Sequence, residues 1–317
     1  DEPIPLANLY SKDVILGSAD MLDAINLASP ARRPKGTRIV YSIENPLPTE
    51  IRIVSLDRSK SFPRKVRSMF WLLGLERRRR AAFRQCDGVQ ANGYPAFSAY
   101  EKLNANTMLY LDGRMNKEMM ATPQEQTART NYLRSGGPIR LVHSGRLEPL
   151  KGAQDLIPLV KNLLKANVSF TFDIFGTGSL TASISQDIAD SGLGQIVRMH
   201  GAVDFKEVLV PFMRTNADLF VSCHLQSDPS CTYLETLSCG VPIVGYCNRM
   251  WNEMAHQSMA GWSVPSGDVS ALKETIRRVF LNSELIAEAS ERGLNFAMEH
   301  PFESEFKKRM AHLRAVI

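Results

Sequence analysis

Residues 222–246 read SCHLQSDPSCTYLETLSCGVPIVGY, and the rest of the chain is best read outward from them. An apolar run, 217–221, ends there in small polar residues. A loop with Asp228-Pro229-Ser230 follows, then a short helical segment carrying Glu235. Cys239-Gly240 stops that helix, and 241–244 reads as a buried strand. A strand–loop–helix–strand unit of this kind aims a helix N-terminus at a loop, which is where α/β sheets bind anions. Glu235 sits about one turn inside the helix.

The same alternation surrounds this unit. Apolar strands are expected over 139–143, 169–175, 196–200, 217–221 and 241–245, with helices over 153–165, 180–191, 205–213 and 251–258. A last short strand follows at 261–265. Strands alternating with helices of 10–15 residues specify a parallel sheet with helices on both faces.

At 317 residues the chain is long enough for two domains with separate cores. Its net charge of +5 is uneven. Residues 1–135 carry 21 Lys/Arg against 14 Asp/Glu, whereas 136–317 carry 17 against 19. The five cysteines (86, 223, 231, 239 and 247) show no Cys-x-x-Cys spacing, and an odd number argues against a disulfide framework. A reducing, cytoplasmic compartment is expected. The opening DEPIPLANLY has no basic n-region and no initiator methionine, so a fragment or processed form is expected.

In the first half, 14–16 reads as a strand, 21–27 as a short helix and 38–43 (RIVYSI) as a buried strand ending at Glu44-Asn45. Residues 57–84 hold ten basic side chains against two acidic, with Phe70 and Trp71 between the basic clusters. One reading is a helix on an anionic membrane surface. Another is a core-facing helix with a solvated basic face, and a third a nucleic-acid patch without a recognised motif. Polar residues over 116–138 suggest the boundary between an N-terminal domain (1–135) and a C-terminal one (136–300), with a C-terminal helix (301–317) packing back on the first.

Gly145-Arg146 and Lys151-Gly152 place two cations after a parallel strand, suited to a diphosphate or to surface salt bridging. Gly176-Thr177-Gly178 is either a close backbone approach or a tight strand–helix turn; the dinucleotide fingerprint would need a third glycine. His143 and His200 end apolar strands and read as core residues, and His224 opens the key loop as a candidate ligand contact. No metal-ligand spacing occurs. Ser230, Cys231 and Thr232 start the helix that carries Glu235, whose carboxylate suits either a ribose diol or a helix surface.

Taken in order over 107–317, the segments GRLEPLKG, FGTGSL, MHGAVDFKEVLVPFMRTNADLFVSC, LETLSCGVPIVGY and GWSVPSGD resemble the glycosyl transferases group 1, the GT4-type retaining enzymes of the GT-B fold. The resemblance implies an α/β architecture of two Rossmann-like parallel-sheet domains facing a cleft, the N-terminal one truncated. It implies a nucleotide-sugar donor (UDP or GDP) and a glycan or lipid-linked acceptor, with no metal and no cofactor; for want of a recognised motif, no nucleic-acid partner is expected either. The basic, Trp-bearing segment 64–80 adds the expectation of a peripheral position on an anionic cytoplasmic membrane surface. Arg146 and Lys151 match the pair that holds the donor diphosphate, and Glu235 the acid that contacts the ribose. Gly201 to Val203 match the segment that meets the base, and Ser230, Cys231 and Thr232 offer helix-start amides. The pattern departs at Ser227, where the family's first acid stands; Asp228 beside it could supply the carboxylate. Glu44 and Asn45 stand where such enzymes carry a histidine and an aspartate, which makes Glu44 the catalytic candidate of the first domain. Two other readings stay open: a non-catalytic homologue binding a nucleotide sugar or a partner enzyme, favoured by Ser227, and a sugar-nucleotide epimerase, disfavoured by the lack of histidine in 1–135.

Overall fold

The computed structural model describes residues 12–29, 31–57 and 59–317, so the opening DEPIPLANLY and Pro30 of the basic loop lie outside the described residues. The chain forms two compact units that divide between Asp112 and Gly113; the second ends at Phe302, and Glu303–Ile317 belongs to the first.

The first unit runs β1 (Val14–Ser18), α1 (Leu22–Ile25), β2 (Arg38–Ile43), α2 (Leu47–Leu56), α3 (Phe62–Gln85), β3 (Gly88–Asn92), α4 (Gly93–Tyr100) and β4 (Thr107–Tyr110). Its four strands pair in parallel in the order β1-β2-β3-β4. Ile39, Val40, Tyr41 and Ile43 of β2 are all fully buried, as a strand covered on both faces requires. Helix α3 buries Leu72, Leu75, Glu76, Arg79, Ala82 and Phe83, a stripe spaced by three and four residues. This stripe splits the four-arginine run. Arg79 is fully buried and grips Glu50 bidentately at 3.0 and 3.1 Å, with Glu76 at 3.2 Å. Arg77 and Arg78 stay exposed, as do Phe70 and Trp71.

The second unit opens with α5 (Pro123–Arg134) and continues β5 (Ile139–Ser144), α6 (Leu156–Lys165), β6 (Phe170–Phe175), α7 (Thr181–Asp190), β7 (Val197–Gly201), α8 (Val210–Asn216), β8 (Leu219–Ser222), α9 (Cys231–Ser238), β9 (Ile243–Tyr246), α10 (Arg249–Ser258), β10 (Gly261–Val264), α11 (Val269–Leu281) and α12 (Glu284–Glu299). The strand order is β10-β9-β8-β5-β6-β7, all parallel. From β5 the chain proceeds one way across the sheet, through β6 to β7; from β8 it proceeds the other way. The neighbours β5 and β8 therefore flank a topological switch point, where the loops after the two strands part and leave a crevice.

The boundary expected after residue 135 moves to 112/113. The polar stretch 116–138 is not a linker. It contains α5, opened by a capping box between Thr122 and Glu125. Arg129 in α5 is buried and donates to the carbonyls of Ala217, Gly240 and Arg214 at 2.8 Å, Cys239 at 3.0 Å and Met213 at 3.2 Å. One guanidinium thus satisfies the carbonyl ends of α8 and α9, and α5 docks through it with little apolar surface. The helix expected over 205–213 is a π-helical turn, Phe205–Leu209, followed by α8. The last helix, α13 (Phe302–Ala315), serves the first unit from Glu303 onward. Glu305 there accepts the Leu111 N–H at 3.1 Å, and Gln90 of β3 donates to the Arg309 carbonyl at 3.0 Å. Among the described residues no helix is long and apolar enough to cross a membrane.

Candidate functional site

Three loops meet at the C-terminal rim of β5, β6 and β8. Gly152 adopts a left-handed conformation (φ 69°), and a Cβ there would lie 1.9 Å from the Cys223 carbonyl oxygen. Only glycine lets the loop after β5 approach the loop after β8 so closely. Leu225 N–H then donates to Leu150 O at 3.1 Å and joins the two. The Gly-Thr-Gly turn plays the same part on the other side. Gly176 (φ 115°) has no room for a Cβ, which would meet Gly145 O at 1.9 Å, and its N–H donates to Gly201 O at 2.6 Å. The close approach at this turn is therefore loop against loop.

This scaffold presents Lys151 at the switch point. Its ammonium is buried and lies 2.7 Å from Asp228 Oδ2. Asp228 Oδ1 is buried without a partner among the described residues. Ser227 is occupied differently: its hydroxyl accepts the Arg249 N–H at the start of α10, at 3.0 Å. The loop's carboxylate is thus Asp228, and it faces the cation. Arg146 is exposed; its carbonyl accepts the Glu148 N–H at 2.8 Å, and its guanidinium acts on the Glu148 carboxylate through charge. Helix α9 starts behind the loop with Ser230 at its N-cap making no side-chain cap, and with Cys231 and Thr232 half-buried in its first turn.

Glu235 is buried, and Arg114 holds both its oxygens, at 2.7 and 3.0 Å. The Arg114 guanidinium lies 3.8 Å above the Phe205 ring. Phe205, Leu209, Thr232, Glu235 and Ser144 line one small cavity. Gly201 and Val203, at the end of β7, lead directly into this segment and are half-buried. The structure therefore groups Lys151 with Asp228, and Glu235 with the segment that follows Gly201. Arg114 was not foreseen: it follows a turn signal, and only tertiary structure brings it to a glutamate 121 positions away. Glu44 belongs to the first unit, where it is exposed immediately after β2.

The histidines divide differently from expectation. His200 is exposed, stacked on Phe175 and 2.7 Å from Asp173. His143 and His224 are both buried, and each keeps a ring nitrogen, Nε2, without a partner among the described residues. Burial pulls the His143 imidazole down to about 4 and holds His224 well below the ordinary histidine range. Both rings are therefore neutral at pH 7.

The family model described as glycosyl transferases group 1 matches residues 124–296, more than half of the chain. The chain belongs to that family. As a group 1 chain it is also 26% identical, over 148 residues, to the amylovoran biosynthesis glycosyltransferase AmsK of Erwinia amylovora. That match covers 45% of this chain and 36% of AmsK, so it spans about a third of the relative's length. Among solved structures, Anabaena HepE in complex with UDP and glucose superposes with a TM-score of 0.67 at 17% identity, over 98% of this chain and 80% of that one. Sucrose-phosphate synthase of Thermosynechococcus elongatus gives 0.70 at 14%, over 97% and 74%. The group 1 chain has the GT-B fold: an α/β protein with two parallel sheets, of four and six strands.

Proposed function

We propose that the chain is a glycosyltransferase that moves a sugar from a UDP- or GDP-sugar to a glycan or lipid-linked acceptor with retention, in polysaccharide or glycolipid synthesis. The observation that carries this reading is the buried Lys151 at the switch point, opposite a loop carboxylate and the start of α9. A buried cation beside helix-start amides suits a diphosphate, which would take Asp228's place on the ammonium. Arg146 would supply the second cation and Glu235 would accept from the ribose diol, held in place by Arg114. The base would lie on the segment after Gly201. In the transfer itself the bond from the anomeric carbon to the phosphate oxygen breaks. The acceptor oxygen bonds to the same face, and its proton passes to the departing phosphate. The protein's share is positioning and charge stabilisation. Arg146, Lys151 and the helix start supply the positive charge, so the reading requires no metal, and chelation with EDTA should leave turnover intact. Glu44, at the end of β2, would act on the acceptor side.

The acceptor end of the reading rests on α3. Phe70 and Trp71 are 70% and 58% exposed beside the exposed Arg67, Arg77 and Arg78. Apolar rings among cations suit an anionic lipid surface.

The test is thermal shift against UDP, GDP and a panel of their sugars, then donor hydrolysis with wild type and Arg146→Ala. Stabilisation by one nucleotide family, with turnover lost in the variant, is expected. No shift with any nucleotide refutes the donor site. Stabilisation without turnover, even with acceptor supplied, selects the non-catalytic homologue, a reading that Ser227's engagement with α10 favours.

A further inference from the structure

Two buried histidines without a complete set of partners stand side by side at the switch point. His143 is the penultimate residue of β5, fully buried, and His224 lies in the loop after β8, 1% exposed. Their Nε2 atoms converge. A carbon built at the Cβ position of Gly145 would lie 3.8 Å from one and 3.9 Å from the other, with no further atom within 4 Å outside its own chain neighbours. Both nitrogens are buried and unpartnered among the described residues. A buried polar atom left without a partner is costly, and two aimed at one space beside a glycine mark that space for an occupant.

The hydrogen-bond partners fix what each nitrogen presents. His143 Nδ1 lies 2.9 Å from the Val221 carbonyl, which only accepts; Nδ1 therefore carries the proton and Nε2 offers a bare lone pair. His224 Nδ1 lies 3.2 Å from the Tyr233 hydroxyl. That hydroxyl already accepts from Asn248 at 2.8 Å and from Ser222 at 3.5 Å, so its own proton goes to His224 Nδ1. The remaining proton of His224 then sits on Nε2. The pair is one acceptor and one donor, both uncharged. A phosphate oxygen would meet the His143 lone pair and be repelled, and an ammonium would meet the His224 N–H. A hydroxyl satisfies both.

We propose that Nε2 of His143 and Nε2–H of His224 form a subsite for one hydroxyl of the donor's hexosyl group. This rests on the donor reading above and deepens it. The location agrees: the two nitrogens lie beside Gly145, the neighbour of Arg146, and within the field of the Lys151 cation, which acts on both rings. A sugar attached to a diphosphate held by those cations brings its hydroxyls to this place. The subsite supplies neutral polar contacts in a loop whose Ser227 stands where the family's first acid stands.

The test uses His143→Asn and His224→Asn in the whole chain. Asparagine can replace Nδ1, donating to Val221 O at one position and accepting from Tyr233 at the other, while removing Nε2. Binding of UDP and GDP, and of their hexose conjugates, is measured by calorimetry. Each variant should bind the preferred nucleotide hexose about tenfold more weakly, the cost of one hydrogen bond, and bind the bare nucleotide as wild type does. Equal losses for both ligands, or no loss for either, overturn the subsite. If wild type binds no nucleotide, the donor reading fails by itself. The pair is then judged by the histidine ¹⁵N resonances during titration with glucose, galactose and N-acetylglucosamine. Movement of both Nε2 signals with one hexose supports the subsite; no response to any of them means an ordered water only and overturns it.

Discussion

Arg114 and Glu235 show how one side chain sets the state of another. Arginine's planar fork matches a carboxylate, and the two contacts leave the outer lone pairs of Glu235 available for a diol. Arg114 is in this view a positioning residue. Arg114→Ala should weaken binding of whichever nucleotide, UDP or GDP, stabilises the wild type about three- to tenfold, in line with the loss of a charge-assisted bond. Arg114→Lys should not restore it, because an ammonium cannot fix both oxygens. Calorimetric binding identical to wild type in Arg114→Ala would remove Glu235 from the ribose role as argued. The buried histidines make a second prediction, on stability. His143 has a folded pKa of about 4 against 6.5 for an ordinary histidine. Between those values the unfolded chain binds a proton that the folded chain does not, so stability is full above about pH 6.5 and falls as pH drops toward 4. From pH 7.5 to 5 the loss is about 2 kcal/mol for His143, and His224 adds in the same direction. Urea titrations at the two pH values check this, and His143→Asn should flatten the difference by that share. An unchanged slope would mean that His143 titrates normally.

Elements were legible in the sequence where burial is symmetrical and illegible where polar groups do the docking. The strands β5, β6, β8 and β9 of the second unit are mostly apolar, so they are readable from composition. Helix α5 is not, because what holds it is Arg129, whose five carbonyl partners lie 84 to 111 positions further along the chain. Arg129→Met should cost about 3 kcal/mol or more, since the carbonyls lose their donor together; a smaller loss in urea titration would mean that water replaces the guanidinium. The basic helix α3 was legible in charge but not in orientation. Its core stripe takes Arg79 inward, so removing charge across 77–80 would break a buried network instead of testing a surface. The clean test is Phe70→Ser with Trp71→Ser, which leaves the core stripe untouched. Sedimentation with phosphatidylglycerol vesicles should fall at least about fivefold, the scale of two partly inserted rings. Binding equal to wild type would exclude these rings from any lipid contact.

At the level of the molecule, the family resemblance implied the two parallel sheets that the fold shows, because strands alternating with helices specify that sheet type by themselves. It could not place the unit boundary, because membership in a unit depends on where the last helix pairs. The chain leaves the first unit at Asp112 and returns to it at Glu303. On its return, Glu305 satisfies the Leu111 N–H, Arg309 lies 4.2 Å over the Tyr110 ring, and Gln90, fully buried in β3, binds the Arg309 carbonyl and side chain at 3.0 and 2.9 Å. Deleting 303–317 therefore strips partners from β3 and the end of β4 while leaving every residue of the second unit in place. Exchange of the backbone amides of β3 and β4 should accelerate at least about tenfold, consistent with the loss of one to two kcal/mol of local stability. Amides of β5, β6 and β8 should exchange as before, and any stabilisation by UDP should persist, because Lys151, Asp228, Glu235 and Arg114 all lie in 113–302. Equal acceleration in both sheets would show instead that the last helix stabilises the molecule as one cooperative body.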